Sequence, residues 1–136
     1  MSQKKRIYLD HAATTPVRPE VVEAMQPYFT DVFGNPSSLY REGRDAKNAL
    51  DQSRAAVAKV MNCKPEEIIF TGSGTESDNL AIVGVAKARA AEGKHIITTA
   101  VEHHAVLHAC KELSKEGFEI TYLPVDGYGK VKMDAL

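Results

Sequence analysis

One stretch near the middle of the chain, residues 68–82, constrains the fold more than any other. It begins with a β-branched and aromatic run at 68–71, Ile-Ile-Phe-Thr, which is typical of a buried strand. A Gly-Ser-Gly sequence at 72–74 interrupts that run, and residues 75–79 supply capping and acidic side chains typical of a helix start. The stretch therefore predicts a strand, a tight glycine turn and a helix.

This turn is a candidate anion site, because the first amides of a helix lack intrahelical acceptors and the helix dipole makes that end positive. Gly72 and Gly74 leave the backbone open to a phosphate, and Thr75 adds a hydroxyl donor. Ser77 stands where a dinucleotide fingerprint has its third glycine, and no lysine follows Gly74 as in a nucleoside-triphosphate loop. A turn that needs glycine only for its own backbone angles is an equal alternative.

The chain before this stretch is predicted to be helical. Pro19 suits the first turn of a helix. Four apolar residues of that region recur at helical spacing, and we expect a buried face from Val21, Met25, Tyr28 and Phe29. A turn cluster at 34–38 precedes a second helix over Gly43–Met61. Its expected buried stripe comprises Ala46, Ala49, Leu50, Ser53, Val57 and Val60.

The chain after the turn alternates between helix and strand. We expect the central helix to run to about Glu92, where Gly93 stops it. Strands are predicted at His95–Thr99 and Glu119–Leu123, with a helix over His104–Lys115 between them. Three strands separated by helices of crossover length predict an α/β fold, in which a parallel sheet lies in a three-layer α/β/α arrangement.

In such a sheet, ligands bind beyond the carboxyl ends of the strands. The glycine turn follows one predicted strand, and His103 comes four residues after another. We therefore expect the turn and His103 at the same edge of the sheet. An unpaired edge strand at the other side would favour association.

Length and composition exclude several classes of protein. The chain has 136 residues and a net charge of −1, which allows one domain with a core and gives no electrostatic case for nucleic acid or an anionic membrane. No apolar run approaches the roughly 20 residues that span a bilayer, and the basic residues 1–6 do not resemble a secretory signal. Cys63 and Cys110 provide no disulfide framework and are expected to be structural, in a cytoplasmic protein.

Three histidines around the predicted start of the last helix are candidates for chemistry. His103 could stack on a flat ring or move a proton, and a surface or capping histidine is the competing interpretation. His104 and His108 would share a helix face, a spacing that occurs in zinc sites, but no third ligand is obvious. We therefore expect no metal site, and interpret this pair as facing solvent or pairing with Glu112.

Four motifs resemble, in order, those of one enzyme family. They are Tyr8–Pro16, Phe33–Ser38, Thr71–Ala81 and Val101–Val106. Together they are similar to the N-terminal portion of the cysteine desulfurases, pyridoxal-phosphate enzymes of the aminotransferase class V group. The resemblance spans nearly the whole chain. In the third motif the family commonly has Thr-Ser-Gly, then Ala or Gly, then Thr-Glu, and the exchange at Gly72 and Ser73 here leaves Thr75 in register.

The resemblance implies roles for three residues. Gly74 and Thr75 would hold the phosphate of pyridoxal 5′-phosphate, and His103 would stack on its ring as a candidate acid–base group. Residues 1–40 would form an N-terminal arm, helix and active-site loop. Residues 41–136 would form the first part of the cofactor-binding large domain of the fold type I pyridoxal-phosphate enzymes. Within the first motifs, His11 is interpreted as an exposed loop histidine, whereas Asn35 and Ser37 are interpreted as structural.

The resemblance also implies an activity for the complete protein. Cysteine desulfurases convert L-cysteine to L-alanine and hold the sulfur as an enzyme persulfide for iron–sulfur clusters or thiolated cofactors. They are homodimers, and the sulfur acceptor here would be a partner such as an iron–sulfur scaffold protein. The Schiff-base lysine, its acidic partner and the nucleophilic cysteine lie beyond the region that this chain matches. We therefore expect no catalysis by this chain unless a C-terminal chain complements it.

Two other interpretations stay open. One is a different class V pyridoxal-phosphate enzyme, such as a selenocysteine lyase or an aminotransferase. The other is a non-catalytic truncated chain that binds partners or merely a phosphate.

Overall fold

The computed structural model describes residues 6–136, which form two compact units divided after Ile68. The basic segment that does not resemble a secretory signal falls mostly on residues 1–5, outside the described residues, so that interpretation stays a prediction. Within residues 6–136, no helix has both the length and the apolar character needed to cross a membrane.

The first unit holds three helices: α1 (Pro19–Met25), α2 (Pro27–Thr30) and α3 (Arg41–Met61). Pro19 lies in the first turn of α1, as predicted, because an amide in that turn has no helical acceptor for proline to forfeit. The predicted buried face is wrong. Its side chains align at helical spacing but are exposed by between 39% and 69%, since the other described residues cover them only in part: Val21, Met25, Tyr28 and Phe29.

The long helix α3 is confirmed and begins two residues before the predicted Gly43. It ends at Met61 because Asn62 adopts a left-handed conformation, with φ of 54°. The predicted stripe is only partly correct, since Val60 is 85% exposed and Ala58 is buried instead. The chain after the helix folds back toward Ala58, whose carbonyl accepts the Cys63 amide at 3.0 Å.

The turn cluster between α2 and α3 is confirmed. The side-chain oxygen of Asn35 accepts the Ser37 amide at 2.9 Å, and its carbonyl accepts the Ser38 amide at the same distance. Gly34 lets the backbone approach α3 so closely that a Cβ there would collide with the Glu42 carbonyl. These contacts agree with the structural role expected for this turn.

The second unit contains α4 (Gly74–Ala88), β1 (His95–Thr99), α5 (His104–Lys115) and β2 (Glu119–Leu123). The bounds of β1, α5 and β2 are those predicted. The two strands pair in parallel, residue 95 opposite 119 and residue 99 opposite 123, so α5 is the crossover between neighbouring strands. A mixed α/β arrangement with parallel strands is therefore confirmed.

The core of the second unit lies where α5 packs against β2 and α4. Its buried side chains are Ala105, Ala109, Cys110, Leu113, Phe118 and Leu123. Val106 and Leu107, also predicted to face inward, are half-buried. Gly117 follows α5 with φ of 87°, a conformation that glycine adopts without strain, and this explains the predicted stop.

The elements on either side of the glycine turn differ from the predictions. The strand predicted at 68–71 is wrong, since the sheet of the described residues consists of β1 and β2. At Ile68 both backbone groups bond outside any ladder: its amide donates to the Pro65 carbonyl, and its carbonyl accepts from Arg54 Nε of α3 at 3.3 Å. Helix α4 ends at Ala88, and turns rather than helix continue to Glu92.

Candidate functional site

The glycine turn and the start of α4 are shaped by two side chains. Ser73 is the N-cap, and its hydroxyl oxygen accepts the Glu76 amide at 3.2 Å. The Glu76 carboxylate reaches back and accepts the Gly72 amide at 2.7 Å. The cap therefore lies before the segment 75–79 in which capping residues were predicted. The serine and the glutamate three residues later form a variant of the capping box, in which the acid binds the amide before the cap residue.

A second pair of hydroxyls braces the same turn. Thr71 Oγ1 and Ser77 Oγ are 2.6 Å apart, and each also lies within hydrogen-bond distance of the Ser73 carbonyl, at 3.1 and 3.3 Å. These contacts tie the residues before the turn to the first turn of α4. The turn is consequently fixed from both ends without any contribution from Gly74 or Thr75.

Three consecutive amides at the mouth of α4 stay free. Within the described residues, the N–H groups of Ser73, Gly74 and Thr75 have no hydrogen-bond acceptor, and neither does the Thr75 hydroxyl have a partner. A Cβ added to Gly74 would meet nothing within 4 Å. No close packing in the second unit therefore requires glycine at this position. Free donors at the positive end of a 15-residue helix, beside an open space, suit a phosphate group.

His103 is the N-cap of α5, so the capping interpretation of this residue is correct. Its Nδ1 accepts the Ala105 amide at 3.2 Å. A ring nitrogen that accepts a hydrogen bond carries no proton, so this contact assigns the neutral ring's proton to Nε2. The capped ring can donate from Nε2. For Nε2 to accept a proton, its own proton must first move to Nδ1. A protonated Nδ1 can no longer accept the Ala105 amide, so the cap is lost.

The connection from β1 to His103 is short and tied at both ends. Ala100 N–H donates to the Leu123 carbonyl at 3.1 Å, which holds the end of β1 against β2. The Thr99 hydroxyl donates to the half-buried Glu102 carboxylate at 2.8 Å. His103 thus lies four residues past the carboxyl end of β1, where sequence order predicted it.

Glu102 also faces a cavity of about 340 Å³ between the strands, α4 and α5. The cavity is lined mostly by aliphatic side chains and by the buried Cys110. Burial raises the pKa of the Cys110 thiol, and the nearby Glu102 carboxylate raises it further. This thiol is therefore held neutral, which agrees with the structural role expected for it.

The other histidine pair forms no metal cluster. The rings of His104 and His108 lie 5.8 Å apart on exposed positions of α5. Glu112, the expected partner, instead binds Lys115 Nζ at 2.7 Å, and this hydrogen bond lowers the pKa of the Glu112 carboxyl. Among residues 6–136, no group of three or more ligand side chains could hold a metal ion. The pair therefore faces solvent.

In the first motif, His11 is exposed, as expected, and its ring contacts the Tyr8 ring edge-on at 5.2 Å between centroids. The Tyr8 hydroxyl donates to the Asp10 carbonyl at 2.8 Å, which closes the loop. This loop belongs to the first unit, whereas the glycine turn and His103 belong to the second.

Sequence reasoning did not identify Ser73 as the N-cap, the contact of Glu76 with the Gly72 amide, or the contact of Glu102 with Thr99. The first two carried a detectable signal, because serine followed three residues later by glutamate at the start of an apolar run is the capping-box pattern. Glu102 carried no comparable signal, since its partner depends on how the chain turns after β1.

The sequence profile of the aminotransferase class-V family matches residues 7–136. A curated relative named cysteine desulfurase IscS, from Methanosarcina thermophila, is 55% identical over 135 residues, 99% of this chain and 33% of that protein. A protein of the same name from Dictyoglomus turgidum is 56% identical over 133 residues, 98% of this chain and 34% of that protein. The chain thus spans about a third of the length of the curated relatives it matches.

Several solved protein structures are also similar to this chain. A structure described as a NifS-like protein has a TM-score of 0.90 and 40% identity, covering 96% of this chain and 36% of that one. A structure described as SspA in complex with cysteine has a TM-score of 0.78 and 44% identity, covering 85% of this chain and 33% of that one. The mixed α/β fold seen here is therefore shared with these proteins over part of their length.

Proposed function

Because the chain belongs to the aminotransferase class-V family, we propose that it forms the N-terminal part of a cysteine desulfurase that uses pyridoxal 5′-phosphate. One observation carries the proposal: the free amides and free hydroxyl at the start of α4 lie within a stretch that matches named cysteine desulfurases at 55% and 56% identity. The whole enzyme would convert L-cysteine to L-alanine and hold the sulfur as a persulfide.

The phosphate would be held by the amides of Gly74 and Thr75 and by the Thr75 hydroxyl. Their lack of partners within the described residues supports this role, as does the open space beside Gly74. The neighbouring amides of Gly72 and Glu76 are satisfied by side chains and would take no part. When bound, the cofactor would supply the electron sink for reactions at the substrate's amino-bearing carbon.

His103 would stack on the pyridine ring and act as the acid–base group. Helices α4 and α5 pack together, and Lys87 Nζ near the end of α4 binds the Glu116 carboxylate just after α5 at 2.9 Å. This arrangement supports a parallel course for the two helices, with the free amides and His103 at the same end. Because Nε2 carries the proton while the cap is intact, the stacked ring would first present a donor.

We further propose the finer architecture implied by the resemblance. Residues 1–40 would supply an arm, helix and active-site loop, and residues 41–136 would begin the three-layer α/β/α large domain. The complete protein would be a cytoplasmic homodimer that passes sulfur to an acceptor such as an iron–sulfur scaffold protein. The SspA structure holds cysteine, which supports L-cysteine as the substrate of this chain's complete form.

Complementation tests this proposal. In the presence of pyridoxal 5′-phosphate, we expect no site-specific Schiff-base absorbance from the 136-residue chain, because the lysine would come from a C-terminal polypeptide. Adding the C-terminal two-thirds of a class-V relative should produce the visible band and the release of alanine from cysteine. A band without alanine would favour another class-V reaction, such as that of a selenocysteine lyase or an aminotransferase. Absence of any band would favour a non-catalytic binding chain.

Substitution of the hydroxyl donor tests the phosphate site within the complemented protein. Thr75→Val should weaken cofactor binding by roughly ten- to a hundredfold, since a hydrogen bond to a charged group is lost. Thr121→Val is the matched control, because that threonine lies on β2 and contacts His95. Equal affinities for the two variants would refute the assigned role of Thr75.

A further inference from the structure

The four residues 100–103 that connect β1 to α5 set the position of the His103 ring. The connection has one backbone tie, from Ala100 to Leu123, and one side-chain tie, from Thr99 to Glu102. Glu102 directly precedes the N-cap, so a displacement of this residue moves the cap with it. The Ala100–Leu123 hydrogen bond holds the end of the strand, whereas the hydrogen bond of Glu102 holds the residue next to His103.

We propose that Glu102 is a positioning residue for His103, acting through its hydrogen bond with the Thr99 hydroxyl. The 2.8 Å contact joins the last residue of the strand to the residue before the cap. It restricts the connection to one path, on which His103 Nδ1 meets the Ala105 amide at 3.2 Å. The inference rests on the proposed function only for the role of the His103 ring. The hydrogen bonds that position the ring do not depend on that function.

Three features of Glu102 support a positioning role over that of a surface charge. Its carboxylate is half-buried, its described hydrogen bond goes to a side chain of the same connection, and it has no described ion pair within residues 6–136. Glu102 and Cys110 also line the same cavity, which places Glu102 on the inner side of α5. For a carboxylate that is half-buried and has no described cation beside it, the Thr99 hydroxyl replaces part of the solvating water.

Amide hydrogen exchange and ring-nitrogen NMR test the inference on the ¹⁵N-labelled chain completed by the unlabelled C-terminal two-thirds of a class-V relative, without cofactor. Glu102→Ala and Thr99→Val each remove one partner of the tie. We expect Ala105 to exchange roughly tenfold faster relative to Ala109, because a local opening releases the cap while the helix centre stays protected. The nitrogen resonances of the His103 ring should shift toward values of a mixture of tautomers.

Conservative variants separate positioning from general stability. Glu102→Gln keeps an acceptor and Thr99→Ser keeps a donor, so both should retain the parental exchange ratio. The double variant Glu102→Ala with Thr99→Val should change the ratio no more than either single variant, because both remove one contact. If Glu102→Ala does not fold, Thr99→Val carries the test, since it preserves the shape of the threonine.

Several results would overturn the inference. They are equal acceleration at Ala105 and Ala109, unchanged ring resonances in both disrupting variants, or additive effects in the double variant. Because no cofactor is present, a failure of pyridoxal phosphate to bind would count against the proposed function and leave this result intact. Conversely, normal cofactor binding would not rescue the inference if the His103 cap were insensitive to Glu102.

Discussion

At the scale of single residues, Gly74 is informative because the fold does not require it. It lies at the first position of α4, and a Cβ there would meet nothing within 4 Å. Alanine favours a helix over glycine by about 0.5–1 kcal/mol, so Gly74→Ala should leave the unfolding free energy unchanged or raise it. A larger side chain, as in Gly74→Leu, would enter the space assigned to the phosphate, and the cofactor affinity of the complemented protein should fall roughly tenfold, the cost of weakening one hydrogen bond to a charged group.

Gly84→Ala is the matched control for this prediction. Gly84 lies inside the same helix, and a Cβ there also meets nothing within 4 Å. Denaturant titration should therefore show stabilisation, while a cofactor titration followed by absorbance should show unchanged affinity. If Gly74→Leu binds pyridoxal 5′-phosphate like the parent, the open space beside Gly74 is not the phosphate site.

Cys110 gives a prediction about pH. Burial, and secondarily Glu102, raise the folded-state pKa of this thiol above its ordinary 9.0, so the folded state resists deprotonation that the unfolded state undergoes. The associated stability is fully present below pH 9.0 and is lost as pH rises through that value toward the folded-state pKa. The unfolding free energy of the parent should therefore decline more steeply than that of Cys110→Ala above about pH 9. Parallel declines in urea titrations across this range would contradict the assignment.

At the scale of elements, the start of α4 depends on one cap. Replacing Ser73 by alanine leaves the Glu76 amide without its acceptor, and we expect a loss of about 1 kcal/mol in the unfolding free energy. Ser114→Ala is the control, because that hydroxyl donates to a helix carbonyl and caps no free amide. Urea denaturation of both variants measures the difference. A loss of equal size in both variants would show that the Ser73 cap contributes no more to the unfolding free energy than the Ser114 hydroxyl does.

The elements that could be predicted from sequence are those whose signals are local. The bounds of β1, α5 and β2 followed from short apolar runs and from Gly117, and each is confirmed. The residues at 68–71 have an equally good strand composition, but a strand also needs a neighbour with which to form a ladder. The backbone of Ile68 bonds to Pro65 and to the Arg54 side chain instead. Composition alone cannot supply that partner. The same limit applies to the predicted buried face of α1 and α2.

The candidate site divides in the same way. The place of His103 after β1 followed from chain order, because strand ends in a parallel βαβ unit are fixed by the order of elements. The glycine turn followed from its own residues, although the strand expected before it is absent from the described sheet. The Ser73–Glu76 cap could have been predicted from its spacing. The hydrogen bond from Thr99 to Glu102 could not, because it depends on the path of the connection rather than on any residue pattern.

At the scale of the whole molecule, the chain exposes many large apolar side chains. Exposed large side chains occur in both units, among them Leu9, Leu39, Val60, Ile69 and Phe70. The described sheet has two strands, so one edge of β1 and one of β2 lack a strand neighbour within residues 6–136. Apolar patches and free strand edges both promote association.

We therefore expect the purified 136-residue chain to associate in a concentration-dependent manner and to bind a hydrophobic dye. Adding the C-terminal two-thirds of a class-V relative should suppress both effects, because the proposed large domain would cover the apolar side chains and extend the sheet. Sedimentation velocity and dye fluorescence measure the change, with an unrelated protein that does not itself bind the dye as the control for unspecific coverage. A monodisperse monomer that binds no dye would show that the surfaces of this chain are stable in water. The exposed apolar side chains would then give no support to the proposed completion by a C-terminal region.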